Sequence, residues 1–185
     1  MMLYLQKIVD FNRKFAGYYD PDLPAYDALL NEYEEGMTME ILDAFFEKLR
    51  GSIVPLIEKI GAVENPRFDF VDRHYPVELQ RKFSDYLMDI MGLDRKYCAI
   101  AESEHPFTIN YNNKDVRITT HYFENDMQPS MFSVIHEGGH AMYELGADDK
   151  YNYTFLYGGA SMGIHESQSR FDENLIGRSR AVVNC

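Results

Sequence analysis

The sequence has few cysteines, few basic residues and no long apolar run, and each shortage excludes a class of protein. Cys98 and Cys185 are the only cysteines among 185 residues, too few for a disulfide framework or a cysteine-ligated zinc site. The net charge of −12 argues against nucleic-acid binding, which needs clustered Lys and Arg to neutralise phosphates. The sequence also lacks the run of about 18 apolar residues that a transmembrane helix requires.

The remaining composition is typical of a globular protein. Apolar residues make up 45% of the sequence and charged residues 26%, which are ordinary values. A length of 185 residues suits one domain or a large part of one. Residues 1–7 lack the order of basic and then apolar residues that marks a signal peptide. Together with the shortage of cysteines, this predicts a cytoplasmic location.

The first half of the sequence is predicted to be helical. Apolar spacing predicts helices over 1–18 and 25–34, and Pro76 suits the first turn of a later helix. Between them lies the strongest helical pattern, an apolar stripe at i, i+3 and i+4 spacing. The stripe consists of Ile41, Leu42, Phe45, Phe46, Leu49, Ile53, Leu56, Ile57 and Ile60. We expect it to pack into a core, with Pro55 kinking or dividing its helix.

The pattern changes between Tyr97 and Phe123, where β-branched and aromatic residues alternate with polar ones. Two such runs, 107–111 and 116–120, flank a turn-forming segment and predict an antiparallel hairpin. A helix from about Pro129 to Leu145 is then predicted. It is followed by a loop and a final helix over 160–180.

The most informative stretch lies in the first of these two helices and has the sequence His136-Glu137-Gly138-Gly139-His140. Positions i and i+4 share one helix face, about 6 Å apart along the axis. Both imidazoles can therefore bind one ion, since zinc–nitrogen bonds are about 2.0–2.1 Å long. Glu137 can then serve as general base toward an ion-bound water. The alternative is a helix that carries two histidines, one of them buried and hydrogen-bonded.

A catalytic zinc needs a third protein ligand and one open position for water. In zinc peptidases of the His-His-Glu type, this ligand is a glutamate on a later helix. Glu166 meets that requirement, 26 residues after His140 on the predicted final helix. Glu173, two turns further along the same face, and Glu144, four residues after His140, are the rivals. The residues by themselves leave these three choices open.

Four motifs follow one another within about 65 residues. They are His105-Pro106-Phe107, Asp115-Val116-Arg117-Ile118-Thr119, His136-Glu137-Gly138-Gly139-His140 and His165-Glu166-Ser167-Gln168-Ser169-Arg170. In this order they resemble the Taq-type (thermostable) metallocarboxypeptidase family. The match is specific because four ordered motifs agree, whereas the two-histidine motif alone is shared by many metallopeptidases.

The resemblance implies a mainly α, zincin-like fold with a small antiparallel β-sheet beside the helix of the two histidines. It implies His136, His140 and Glu166 as metal ligands, Glu137 as general base, and zinc or cobalt as the ion. Family members remove single residues from peptide C-termini and commonly form homodimers, so the expected partners are peptides and a second copy of the chain. We expect a single partial catalytic domain over 1–185. Its parts are a helical region (1–95), a β-hairpin region (96–124) and zinc-site helices (128–180).

The sequence departs from the family in two main respects and one smaller one. Family members are well over twice as long, and their later motifs, which help to build the substrate groove, have no counterpart here. Asp172 also stands where the family usually has tryptophan. We therefore expect a truncated gene product or an excised fragment, with uncovered apolar faces and a tendency to self-associate.

Four further motif residues have open roles in substrate binding or in support of the metal ligands. Arg117, two residues from Asp115 on a predicted strand, either shapes the substrate groove or forms an ion pair that ties the strand to a neighbour. His105 either contacts substrate or positions a turn. His165 and Gln168 are expected to lie behind the metal ligands.

The two glycines of the motif point to a close approach. Gly138 and Gly139 each cost a helix about 1 kcal/mol relative to Ala. Their presence indicates either that a strand or a substrate backbone passes close to the helix or that the helix is locally plastic.

Three functions follow as hypotheses. The first is a zinc carboxypeptidase acting on short peptides. The second is a catalytically silent remnant that folds and binds metal without hydrolysing peptides. The third is a zinc endopeptidase or aminopeptidase with the same ligands, which the three motifs beyond the two-histidine motif disfavour.

Overall fold

The computed structural model describes residues 2–63, 71, 73–159 and 161–183. The chain forms two compact units, residues 1–66 and 67–185. Its described part is mainly helical with one small β-sheet, as the sequence predicts. None of the described helices is both long enough and apolar enough to cross a membrane.

The first unit contains three helices, α1 (Met2–Tyr19), α2 (Ala25–Asn31) and α3 (Met39–Gly61). Helix α1 packs against α2, and the buried residues of these two helices are Ala16 and Ala28. The start of α3 is fixed by two side chains. Asp27 Oδ1 accepts a hydrogen bond from the Met39 amide at 2.8 Å, and Thr38 Oγ1 caps the helix through the Ile41 amide at 3.3 Å.

Helix α3 corrects a prediction about its apolar stripe. The helix is continuous through Pro55 and contains no buried residue. Phe45, Phe46 and Ile57 are 55%, 54% and 61% exposed. The prediction that this stripe packs into a core is therefore wrong within the described part of the chain. An apolar period shows that one helix face favours contact, but it does not determine that the same chain supplies the contact.

The second unit combines helices with a three-stranded sheet. Its elements are α4 (Val77–Ile90), β1 (Cys98–Glu102), β2 (Thr108–Asn112), β3 (Asp115–Thr120), α5 (Gln128–Leu145), α6 (Met162–Arg170), a π-helix (Phe171–Gly177) and α7 (Arg180–Val183). Helix α5 packs against β3, β2 and α4 on the one side and against α6 and the π-helix on the other. It is therefore the central element of this unit.

The sheet is mixed, with the strand order β1-β3-β2. Strands β2 and β3 form the predicted antiparallel hairpin around Asn113 and Lys114. Strand β1 pairs with β3 in parallel, so the expectation of a wholly antiparallel sheet holds for the hairpin only. Alternating residues predict that a strand forms but not which edge it joins. Here β1 and β2 lie at opposite edges, with β3 between them.

The core of this unit lies between α4, the sheet and the inner face of α5. Its buried residues are Leu87, Met88, Leu93, Cys98, Val116, Ile118, Val134, Ile135 and Ala141. Burial raises the pKa of the Cys98 thiol to about 11, so this cysteine packs as a small apolar side chain and not as a nucleophile. Pro129 lies in the first turn of α5 and Gly146 caps its end, as predicted.

The predicted final helix over 160–180 is three segments. Ser161 Oγ caps α6 by accepting from the Ile164 amide at 3.1 Å, and the helix ends at Arg170. The π-helix that follows has a wider turn. It buries the consecutive residues Asp172 and Glu173, which are only 6% and 8% exposed. A helical period of 3.6 residues does not predict two successive buried carboxylates.

Candidate metal centre

Helix α5 brings the two histidines of the motif together. The ring centroids of His136 and His140 are 4.9 Å apart, and the side chains are 17% and 16% exposed. Burial, followed by the neighbouring imidazoles of His165 and His136, lowers the pKa of His140 to about 4. His140 is therefore neutral at physiological pH, which is the form that binds a metal.

Glu166 of α6 completes a group whose ligand atoms converge. One ligand atom from each of His136, His140 and Glu166 lies within 4.8 Å of the other two. Glu166 Oε2 is 3.2 Å from His140 Nε2 and 3.7 Å from His136 Nε2. Tetrahedral zinc with bonds of about 2.0–2.1 Å separates its ligands by about 3.3 Å. The two distances from Glu166 are close to that spacing, so the three side chains could hold a single ion of this size.

The charge around Glu166 favours its ionised form. Burial alone would raise the pKa of this carboxyl. The Arg170 guanidinium, 2.7 Å from Oε1, and the imidazoles of His136 and His140 instead hold the pKa below its ordinary value. Since Arg170 occupies Oε1, Oε2 is left to face the two histidines.

Glu173, a rival for the third ligand, lies behind His136. Its Oε2 is 3.0 Å from His136 Nδ1, so the Nδ1–H donates to it and the Nε2 lone pair faces the centre of the group. Arg178 Nη2 contacts Glu173 Oε1 at 2.6 Å, and Arg170 Nη1 contacts Oε2 at 3.3 Å. Burial tends to raise the pKa of Glu173, but Arg178 and His136 lower it.

The other rival, Glu144, lies behind His140 and is separated from it by a second imidazole. The Nδ1 atoms of His140 and His165 are 2.6 Å apart. His165 Nε2 is 2.7 Å from Glu144 Oε1. Asn110 Nδ2 donates to Glu144 Oε2 at 2.6 Å, and the Tyr157 hydroxyl reaches the same oxygen at 3.3 Å.

Glu137, the predicted general base, is 8% exposed and faces the sheet. The Thr108 hydroxyl of β2 lies 2.6 Å from Glu137 Oε2 and 3.2 Å from the Glu137 carbonyl. Strand β2 thereby fixes the direction of this carboxylate. Within the described residues, the group of convergent metal-ligating atoms consists of His136, His140 and Glu166 and does not include Glu137.

Arg117 and His105 are two of the candidate residues that lie outside the convergent group. Arg117 forms a two-point ion pair with Asp115 on its own strand, at 2.8 and 2.9 Å, and its guanidinium lies 4.9 Å from the centroid of the Tyr111 ring on β2. The side chain of Arg117 therefore reaches the neighbouring strand β2 by lying over the Tyr111 ring, whereas its ion pair stays within β3. His105 is exposed, and its Nδ1 lies 2.6 Å from the Pro106 carbonyl.

Gln168 and Gly139 lie where α5 and the α6 region touch. Gln168 Nε2 donates to Asp172 Oδ2 at 2.8 Å. A Cβ on Gly139 would lie 2.7 Å from Ser169 Cα and 3.2 Å from the Gln168 carbonyl. A backbone does pass close to this glycine, but it belongs to a helix and not to the expected strand or substrate. Gly138 faces the ends of two side chains instead, with Met91 Cε 2.7 Å and Leu93 Cδ1 3.3 Å from a Cβ.

These two glycines make a matched pair of variants. Gly139→Ala is expected to lower the free energy of unfolding by about 1–3 kcal/mol, because the new methyl group overpacks against backbone that cannot rotate away. Gly138→Ala is expected to be near neutral. The end of Met91 can move, and alanine favours the helix by up to about 1 kcal/mol. Urea unfolding of the two metal-free variants measures the difference, and equal losses would contradict the interpretation of Gly139.

Several residues of this site carry no signal in the sequence. Thr108, Asn110, Tyr157 and Arg178 all contact a carboxylate of the site, yet each is a common polar residue in an unremarkable context. Period-two alternation does place Thr108 and Asn110 on one face of β2. The alternation does not show that this face of β2 packs against α5.

Comparison with known proteins gives a consistent result. A model of the Carboxypeptidase Taq (M32) metallopeptidase family matches residues 2–185. Carboxypeptidase 1 of Bacillus subtilis is 42% identical over 178 residues, which is 96% of this chain and 36% of that protein. Thermostable carboxypeptidase 1 of Pyrococcus furiosus is 37% identical, over 97% of this chain and 37% of that protein. The crystal structure of the M32 carboxypeptidase from Deinococcus radiodurans R1 matches with a TM-score of 0.85 at 40% identity, covering 96% of this chain and 36% of that one.

The chain thus spans little more than a third of the length of the curated relatives that it matches. Within that third, sequence and fold agree over nearly all of the chain. Because the family is one of metallopeptidases, it implies a divalent metal, and His136, His140 and Glu166 could hold one. The chain belongs to the M32, or Taq-type, metallocarboxypeptidase family.

Proposed function

We propose that the chain binds one zinc ion through His136, His140 and Glu166 and releases C-terminal residues from short peptides. The observation that carries this proposal is the convergence of two imidazole nitrogens and one carboxylate oxygen, with Glu166 Oε2 3.2 and 3.7 Å from the two Nε2 atoms. The carboxypeptidase step is supported by the names of the relatives, whose full length is nearly three times the matched part.

Several residues of the chain have separate roles in the proposed reaction. A bound zinc ion would polarise the scissile carbonyl and acidify a water molecule. Glu137 accepts the proton of that water and passes it to the leaving amine, as a positioned carboxylate does in general acid–base catalysis. Thr108 holds Glu137 Oε2 and so restricts the rotation of the carboxylate. Glu173 keeps the proton of His136 on Nδ1, which leaves Nε2 to bind.

Metal removal tests the proposal. Purified chain is expected to contain one zinc per molecule by elemental analysis and to hydrolyse an N-terminally blocked dipeptide with a free C-terminus. Chelation should abolish hydrolysis and zinc should restore it; cobalt, the other ion that the family resemblance implies, is tested beside zinc.

Two controls separate the competing functions. The same blocked dipeptide with an amidated C-terminus should not be hydrolysed, since a carboxypeptidase acts at a free C-terminus; hydrolysis of the amide would indicate an endopeptidase. One zinc per chain without any release of a C-terminal residue would favour the silent remnant. Absence of zinc binding would overturn the metal site itself.

A further inference from the structure

Glu144 is a buried carboxylate of the site to which the proposed reaction gives no role. It lies on α5 one turn after His140 and is 8% exposed. Its Oε1 contacts His165 Nε2 at 2.7 Å, and His165 Nδ1 contacts His140 Nδ1 at 2.6 Å. His136 has a carboxylate directly behind it, whereas His140 reaches one only through a second imidazole.

The positions of the ring protons on His165 and His140 follow from these two contacts. An ionised carboxylate only accepts hydrogen bonds, so His165 must carry its proton on Nε2 to donate to Glu144. In neutral His165 the Nδ1 atom is then an acceptor. His140 must therefore donate from its own Nδ1, and its Nε2, the atom 3.2 Å from Glu166 Oε2, keeps a free lone pair.

The other oxygen of Glu144 is held by two donors. Asn110 Nδ2 lies 2.6 Å from Oε2, the Tyr157 hydroxyl lies 3.3 Å from it, and these two groups contact each other at 3.0 Å. Asn110 belongs to β2, and Tyr157 to the loop after α5. Donors thus approach Glu144 from both sides, and among side chains only a carboxylate accepts with both of its terminal atoms.

We propose that Glu144 is a positioning residue that acts through His165 to keep the proton of His140 on Nδ1 and Nε2 free for the metal. This inference rests on the proposed zinc site and extends it to residues that do not touch the ion. Mutation of a residue that hydrogen-bonds to a metal ligand typically lowers metal affinity by about 10–100-fold. Through Asn110 and Tyr157, the metal affinity becomes sensitive to β2 and to the loop after α5.

A double-mutant cycle tests whether Glu144 acts through His165. Glu144→Ala is expected to weaken zinc binding by about 10–100-fold. His165→Asn is expected to cost less, because its amide oxygen can accept from His140 Nδ1 without any carboxylate behind it. In the His165→Asn background, Glu144→Ala should then cause no further loss of zinc affinity. A loss of the same size in both backgrounds would show that Glu144 is merely structural and would overturn the proposal.

The tautomer of His140 in the metal-free protein gives a second, independent readout. Long-range proton–nitrogen NMR spectra should show His140 protonated on Nδ1 in the wild type and on Nε2, at least in part, in Glu144→Ala. An unchanged tautomer would overturn the proposal. Glu144→Leu keeps the side-chain volume, also removes both acceptors, and replaces the alanine variant if that variant does not fold.

The same experiment separates this inference from the proposed function. If the wild-type chain bound no zinc, the proposed function would fail. The tautomer of His140 in the metal-free protein would still decide whether Glu144 positions it. If zinc bound to the wild type and to Glu144→Ala equally well, the positioning role alone would fail.

Discussion

Replacing Glu137 with glutamine is expected to lower hydrolysis of a blocked dipeptide by about 10²–10⁴-fold while one zinc per chain stays bound. Glutamine keeps the size of the side chain, and its oxygen can still accept from the Thr108 hydroxyl, which lies 2.6 Å from Glu137 Oε2. It cannot take a proton from water. The loss should therefore appear in kcat more than in KM, because the group removed acts only in the transition state.

Glu78→Gln is the matched control for this prediction. Glu78 is an exposed glutamate of α4, so its replacement removes one negative charge from the second unit without touching the site. It should leave both zinc content and hydrolysis unchanged. Hydrolysis by Glu137→Gln at the rate of this control would contradict the role of Glu137. Loss of zinc from Glu137→Gln would instead show that this residue maintains the metal site.

Replacing Glu166 with alanine is expected to weaken zinc binding by more than about 100-fold. Loss of a residue behind a ligand already costs about 10–100-fold, and this change removes the ligand itself. Zinc at 100 times the wild-type Kd stabilises the folded wild type by about 2.7 kcal/mol. The same concentration should stabilise Glu166→Ala by less than about 0.4 kcal/mol, because it is then at or below the Kd of the variant. Urea unfolding with and without zinc measures both values.

Arg170→Ala is the control that distinguishes loss of the Glu166 metal ligand from loss of the Glu166–Arg170 ion pair. Arg170 Nε holds Glu166 Oε1 at 2.7 Å, so Glu166→Ala breaks this contact as well as the proposed zinc bond. If the carboxylate is a ligand, Arg170→Ala should keep most of the zinc-induced stabilisation. A loss as large as that of Glu166→Ala would show that the contacts of Arg170 with Glu166 and Glu173, and not a metal bond, account for the effect. Without zinc, loss of the Arg170–Glu166 pair should cost either variant little, since the pair is more than a third exposed. Arg170→Ala also removes the 3.3 Å contact with Glu173 Oε2 and should be the less stable of the two.

Some expectations about the whole protein stay predictions. These are a single partial domain over 1–185, a homodimer, a cytoplasmic location and the choice of zinc over other divalent ions. Each concerns the environment of the chain or the remainder of a longer fold. Local residue patterns carry little information about either.

The local elements around the site follow from the sequence alone. Pro129 and Gly146 bound helix α5, the turn at Asn113 and Lys114 makes the hairpin, and the i, i+4 spacing puts His136 and His140 on one face. These features follow from backbone geometry over a few residues. Spacing favours Glu166 as the third ligand but leaves Glu144 and Glu173 open, and only the family resemblance implies Glu166 alone.

Where the three glutamates lie depends on tertiary packing. Glu166 converges on the histidines from α6, Glu173 comes to lie behind His136 because a π-helix turns it inward, and Glu144 reaches His140 only through His165. The apolar stripe of α3 in the first unit is a second example: its residues share one face, but none of them is buried. A period in the sequence fixes which side chains share a face. Which element packs on that face depends on contacts between distant parts of the chain, and these have no local pattern.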